Sequence, residues 1–350
     1  MPFAFSAYLE IIRLFAALMV FAHHASYPRF DGDWIFEFSG YGHESVVVFF
    51  VLSGYVIAFS CEYKDLRLQQ YVASRLSRLW SVALPTIILT LIMDAVGRNL
   101  SPESYLGLCK PNFVELFASI FFLNEVWFAQ GCLGTNIPYW SLSYEFIYYF
   151  LFAIYAFVPY RFLVLSLVAI FVGPKVLLLL PCWIMGVTAF QLGKHNLSSR
   201  QAVMLSVGGL LLFVVFVFFK IGNNFVTWRL EEFIGPIWSM RLSHSTTFIS
   251  DNFIGAFFAC HLIGMTNLLR AVPVAKNKLA LLQRLASATF AIYLIHYPCL
   301  IFFTALSLHI SGKVYGVYVG ICSLAIPILF TSPTEAFKRK LRRILVANLP

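Results

Sequence analysis

Long apolar runs alternate with short polar segments from one end of the chain to the other. About 20 mostly apolar residues cross the hydrocarbon core of a bilayer as a helix. Runs approaching that length fall at roughly 8–28, 45–61, 79–96, 140–158, 162–174, 176–192, 203–220, 251–269, 287–307 and 314–331. Two regions depart from the pattern. The stretch 162–192 is broken by Gly173–Pro174 and its first half is short, so it reads as two short spans or as one re-entrant element. The stretch 113–129 is apolar but holds Glu115, Asn124 and Glu125, and reads as an interfacial amphipathic segment. The expected architecture is an all-α, polytopic membrane helix bundle of about ten transmembrane helices. No internal repeat, linker or low-complexity tract divides it, so 1–350 is read as one domain.

Ten spans place both termini on one side, and the basic residues say which. With the termini cytoplasmic, sixteen of the 25 Lys and Arg fall in inner segments, including Lys64, Arg67, Arg75, Arg78, Lys276, Lys278, Arg284 and the tail cluster Lys338–Arg343. Eight fall outside, among them Arg98, Lys110, Lys175 and Lys220. That bias follows the positive-inside rule. The acidic group Asp31, Asp33 and Glu37 falls outside, with little orienting weight. The first run is read as a retained span and not a cleaved signal, because Met1 to Ile12 carries no Lys or Arg and no small-residue cleavage site follows His23–His24.

Composition sharpens this picture. Of the 350 residues 60% are hydrophobic and 12% charged, about half the charge of a soluble domain. A water-soluble fold would expose large apolar patches; a bilayer stabilises them. The net charge of +9 does not indicate nucleic acid, since the cations are dispersed between apolar runs. None of the seven cysteines forms a zinc spacing or a CxxC pair. Cys109 and Cys132 share one expected external loop, which allows a disulfide.

Ionisable residues inside spans cost about 2.5–3.5 kcal/mol each on insertion scales, which makes them functional candidates. Arg13 and His24 are eleven residues apart, three helical turns, so they share a face about 16 Å apart along the axis. The competing reading has Arg13 snorkelling to the inner interface and the histidines at the outer one. His23 points about a quarter-turn away and replaces His24 if the helix is rotated. Arg75 and Arg78 are neighbours on one face and form a fork suited to phosphate oxygens; positive-inside anchoring is the plainer explanation. Glu145 lies early in the span that opens Pro138-Tyr-Trp140 and calls for a cationic or histidine partner. Trp140 fits an interfacial belt. Ser53–Gly54 lets a backbone or a ligand approach closely, with helix packing the blander account. Tyr293 and His296 precede Pro298, which frees a carbonyl beside them. His43 and Glu44 read either way; His261 and His309 have no supporting pattern.

Five motifs occur in order: Arg13 and, ten residues between, His24; Phe49-Phe-Val-Leu-Ser53-Gly54; Arg75-x-x-Arg78 before Pro85; Trp140-Ser-Leu-x-x-Glu145; and Tyr293-Leu-x-His296-x-Pro298. Together they resemble the acyltransferase-3 family of membrane O-acyltransferases, which modify bacterial surface polysaccharides and related glycans. The family's usual Gly-Val before the Phe-Phe pair reads Val47-Val48 here. The chain is similar to stand-alone members, without an appended hydrolase-like domain. The resemblance implies acyl transfer, acetyl by family precedent, from cytoplasmic acyl-CoA to a hydroxyl of a sugar or lipid-linked glycan, in a bacterial cytoplasmic (inner) membrane. Acyl-CoA is a co-substrate, and no metal, nucleic acid or other cofactor is implied. Arg75 and Arg78 would hold the CoA phosphates. Arg13 would meet the pantetheine arm or stabilise an oxyanion. His24 would act as general base or as acyl carrier, with Glu145 orienting it. Ser53, Gly54, Trp140, Tyr293 and His296 would support the pocket. The competing classes are a secondary transporter of a sugar or organic anion, against which the missing repeat counts, and a binding scaffold without turnover. Dependence on acyl-CoA separates the enzyme from both.

Overall fold

The computed structural model describes residues 3–31, 40–63, 67–273, 280–307, 310 and 312–347. Of the residues weighed above, Asp33, Glu37, Lys64, Lys276, Lys278 and His309 lie outside them. The helices in chain order are α1 (Phe3–Ala25), α2 (Pro28–Asp31), α3 (Gly42–Tyr63), α4 (Leu68–Leu100), α5 (Phe113–Ile120), α6 (Trp140–Phe157), α7 (Arg161–Val172), α8 (Pro174–Leu178), α9 (Leu180–Gly193), α10 (Ser199–Phe218), α11 (Trp228–Leu242), α12 (Phe248–Leu268), α13 (Ala280–Leu306) and α14 (Gly312–Ala347). Short 3₁₀ and π turns join them, and the described residues contain no β-strand.

Each of the ten apolar stretches lies on a helix, and the fold is an all-α bundle. Eight segments among the described residues are long and apolar enough to cross a bilayer. The other two stretches fall on α6 and α7. Glu145, three serine and tyrosine neighbours in its first turn and further tyrosines make α6 more polar. α7 has 12 residues, about 18 Å, against a hydrocarbon core of about 30 Å. The break in 162–192 ends α7 and starts α8 at Gly173–Pro174. Gly173 takes a positive φ of 84°, and Pro174 opens α8 at a position where its missing N–H is not needed. The result is one short helix followed by Pro174–Gly193, which is long enough to span.

Burial separates inner from outer helices. Along their apolar windows α3 and α13 are each 72% buried, whereas α10 is 17% and α14 28%. α3 and α13 therefore form the centre, and α10 and α14 present apolar surface outward, where lipid is the favourable neighbour. At the centre α3 and α9 touch backbone to backbone. A Cβ at Gly54 would overlap the Trp183 carbonyl, and one at Gly186 would overlap the Val51 carbonyl. Gly54 is thus a packing residue, as in small-residue membrane interfaces. Gly54→Val is expected to destabilise the bundle by about 1–3 kcal/mol or more, read as a lower thermal midpoint in detergent; an unchanged midpoint would mean that α3 and α9 separate without penalty.

The segment 121–139 connects α5 to α6 through partly buried, mostly irregular backbone. α5 exposes Phe113, Val114 and Phe117 as an amphipathic helix does, but Asn124 and Glu125 turn inward. Glu125 pairs with Lys175 at the start of α8; Lys175 is 0% exposed and also donates to the Ala129 carbonyl. Lys175 is therefore not the outer-loop cation that its sequence position suggests. Cys109 and Cys132 are joined, with their Cα atoms 6.3 Å apart, within the usual disulfide range.

Candidate active site

Six helical segments converge on a cavity of about 300 Å³. α1 contributes Glu10 and Arg13, α3 contributes Val46, Phe49, Phe50 and Ser53, and α4 contributes Arg78, Ser81 and Val82. α6 adds Ser141, Leu142 and Glu145; α13 adds Thr289, Phe290 and Tyr293; α14 adds Thr334, Glu335 and Lys338. The spacings 10/13, 46/49/50/53, 78/81/82 and 141/142/145 are each one face of a helix.

The arginines define the electrostatics. Arg13 and Arg78 line the cavity, and Arg75 lies one turn along α4, 8% exposed. The Arg75 guanidinium sits 5.6 Å from the Tyr71 ring centre and 5.8 Å from that of Tyr149, and Arg78 lies 5.8 Å from the Phe290 ring. Aromatic faces support the cations but accept none of their directed N–H bonds. Neither Nε atom has a hydrogen-bond partner. Among the described residues no carboxylate comes within ion-pair distance of Arg13, Arg75 or Arg78. Buried charge of this kind is costly until an anion with several acceptor oxygens meets it.

Glu145 is engaged elsewhere. Tyr149 donates a short hydrogen bond to its carboxylate, and the Ser53 hydroxyl lies 3.2 Å from the same oxygen. The Trp183 indole N–H donates to Ser53 Oγ at 3.3 Å. Tyr149 thus stands between the Arg75 cation and the Glu145 anion. Expected to find a cation or histidine, Glu145 takes hydroxyl donors instead. Deeper in, Tyr293 and Ser141 share a hydrogen bond of 2.7 Å.

The histidines do not line this cavity. His296 follows Tyr293 by three residues on α13, about 4.5 Å along the axis, and is fully buried. Its Nε2 is 2.9 Å from His24 Nδ1. Its Nδ1 is 2.8 Å from the Ile292 carbonyl. A carbonyl only accepts, so His296 Nδ1 carries a proton, and in the neutral ring Nε2 is the acceptor. His24 therefore donates from Nδ1, which leaves the lone pair of its Nε2 free for chemistry. His23 is held away by Tyr27 at 3.2 Å and by the Gly40 N–H at 2.9 Å. Arg13 and His24 do share a helix, but Arg13 lines the cavity and His24 does not.

Trp140 is not at the cavity wall. Its ring stacks on His244 with centroids 4.2 Å apart, and His43 lies on it at 6.2 Å. His43 Nε2 is 3.0 Å from Asp251 Oδ2 and 2.9 Å from Thr247 Oγ1, and Thr247 donates to the same carboxylate at 2.7 Å. Sequence reasoning left His43 open and passed over Asp251, although a carboxylate in the apolar run 248–268 is the kind of residue that calls for a partner. It also passed over Glu335 and Lys338 as parts of the site.

A family description reading "Acyltransferase domain", the acyltransferase-3 model, matches residues 6–332. The chain is 29% identical over 153 residues to "Acyltransferase MdmB" of Streptomyces mycarofaciens. That alignment covers 41% of this chain and 37% of the relative. No solved structure matches. With the family match running through nearly the whole bundle, from α1 into α14, this membrane protein belongs to the acyltransferase-3 family.

Proposed function

We propose that the protein is an acyl-CoA-dependent O-acyltransferase that moves an acyl group, acetyl in the first instance, to a hydroxyl of a sugar or lipid-linked glycan. The observation that carries this reading is the group of arginines at and beside the cavity that, among the described residues, have no carboxylate within ion-pair distance. CoA presents phosphates that suit a guanidinium fork. In this reading Arg75 and Arg78 bind those phosphates and Arg13 receives the arm that leads to the thioester. The acceptor oxygen attacks the thioester carbonyl, its proton passes to His24 Nε2, and the C–S bond breaks as the ester forms. The departing thiolate recovers the proton. His296 holds the His24 tautomer, a part that a carboxylate plays in hydrolase triads.

The same reading treats 1–350 as one domain in a bacterial cytoplasmic membrane, with both termini inside. The basic-residue bias supports that orientation. So does the Cys109–Cys132 bridge, which suits an oxidising exterior. Labelling of Cys109 and Cys132 by a membrane-impermeant maleimide is expected only after reduction, and from outside; labelling from inside would invert the topology. The function itself is tested by release of free thiol from acetyl-CoA by protein reconstituted in nanodiscs. Saturable, protein-dependent release supports the enzyme. A folded sample that releases none from acetyl- or longer acyl-CoAs favours the transporter class.

A further inference from the structure

The cavity wall made by α14 has no role in the chemistry above. Thr334, Glu335 and Lys338 line the same cavity as Arg13 and Arg78, yet they lie past residue 332, where the family match ends. Residues 334, 335 and 338 share one helical face. Lys338 Nζ lies 2.9 and 3.2 Å from the two oxygens of Glu335. Both side chains are more than a third exposed, 37% and 38%, so this pair is solvent-screened and weakly held. It contrasts with the buried Lys175–Glu125 pair, whose exchange would strand a charge. Glu335 is also near enough to act electrostatically on Arg78 across the cavity. A carboxylate paired with Lys338 therefore shares the cavity with Arg78.

We propose that α14 forms a further wall of the phosphate subsite, in which Lys338 exchanges the Glu335 carboxylate for a phosphate oxygen of a CoA-type donor. Glu335 is then a weak internal competitor. It shares Lys338 while the donor is absent and repels the phosphate that replaces it. The exchange makes one new charge-assisted hydrogen bond for each one broken, so no buried charge is stranded. The two residues have opposite expected effects, which a merely structural i, i+3 pair would not produce. This inference rests on the acyl-CoA reading above.

The test is the affinity of CoA for detergent-solubilised full-length protein, measured at low and high salt. Lys338→Gln is expected to weaken CoA roughly 3- to 10-fold and to flatten the salt dependence. Glu335→Gln is expected to tighten it by roughly 2- to 5-fold. Both positions are exposed enough that thermal midpoints should match wild type, which separates binding from folding. If both variants bind as wild type does while Arg75→Ala/Arg78→Ala binds weakly, the α14 proposal is wrong and the acyl-CoA reading stands. If the wild type itself binds no CoA, the acyl-CoA reading fails and takes this inference with it.

Discussion

His24→Ala should leave CoA affinity unchanged and slow thioester turnover by about 10²–10⁴-fold, the usual contribution of a positioned acid–base group. The expectation rests on the hydrogen-bond chain Ile292 carbonyl, His296, His24, which fixes the lone pair on His24 Nε2. It also rests on place. His24 does not line the cavity that holds the arginines, so its loss should not disturb donor binding. His296→Asn should cost less, because it removes the group that orients His24 and leaves the base itself. The alternative base is His43, whose Nε2 is held by Asp251 and Thr247 in a histidine–carboxylate arrangement. Turnover that survives His24→Ala and is lost in His43→Gln would move the role to His43. Steady-state thiol release with matched CoA binding isotherms decides between them.

The second large effect is on the fold. Glu125→Gln should destabilise the protein by about 3–5 kcal/mol, because it leaves the Lys175 ammonium buried without its counter-charge. The Ala129 carbonyl and the rest of the 121–139 segment would then have to hold that charge alone. Replacing both partners at once, as Glu125→Leu with Lys175→Met, should recover much of the loss, since a buried ion pair is often worth no more than an apolar pair of similar volume. Thermal midpoints in one detergent give the comparison. A single variant as stable as wild type would mean that water reaches Lys175 and that the pair is not structural. The consequence for function is indirect: the segment leads into α6, which carries Ser141 and Glu145 to the cavity.

Much of this was legible in the chain because helical periodicity is local. The apolar runs gave the helices, and the interval between residues 13 and 24 placed Arg13 and His24 on one face. The spacing of Arg75 and Arg78 gave the paired guanidiniums. What periodicity lacks is the order in which helices meet. His24 and His296 are 272 residues apart, and His43 and Asp251 are 208 apart. His296 stood out beside Pro298 and again in the family resemblance, whereas Asp251, with no motif around it, was missed. Lys175 was misread for a related reason. A lysine beside Gly173–Pro174 looks like a loop cation until the returning segment brings Glu125 against it. Glu145 could be singled out from sequence but its partners could not, since hydroxyls of Ser53 and Tyr149 satisfy a carboxylate without any charge that sequence could flag. Of the ten apolar runs, eight fall on segments that meet the length and composition of a span among the described residues, and the other two fall on α6 and on the short α7, whose length the run of apolar residues did not reveal.

In the proposed mechanism Arg13, Arg75 and Arg78, which have no carboxylate within ion-pair distance among the described residues, receive a CoA-type donor. A CoA binding isotherm for wild type beside Arg75→Ala/Arg78→Ala tests it most directly. Wild-type binding should be saturable and weaken as salt rises, with a loss of at least roughly tenfold in the double variant, as expected for a charge-assisted phosphate contact of about 1.5–3 kcal/mol. Equal affinities in two well-folded samples would contradict it and leave Arg75 and Arg78 as topology anchors.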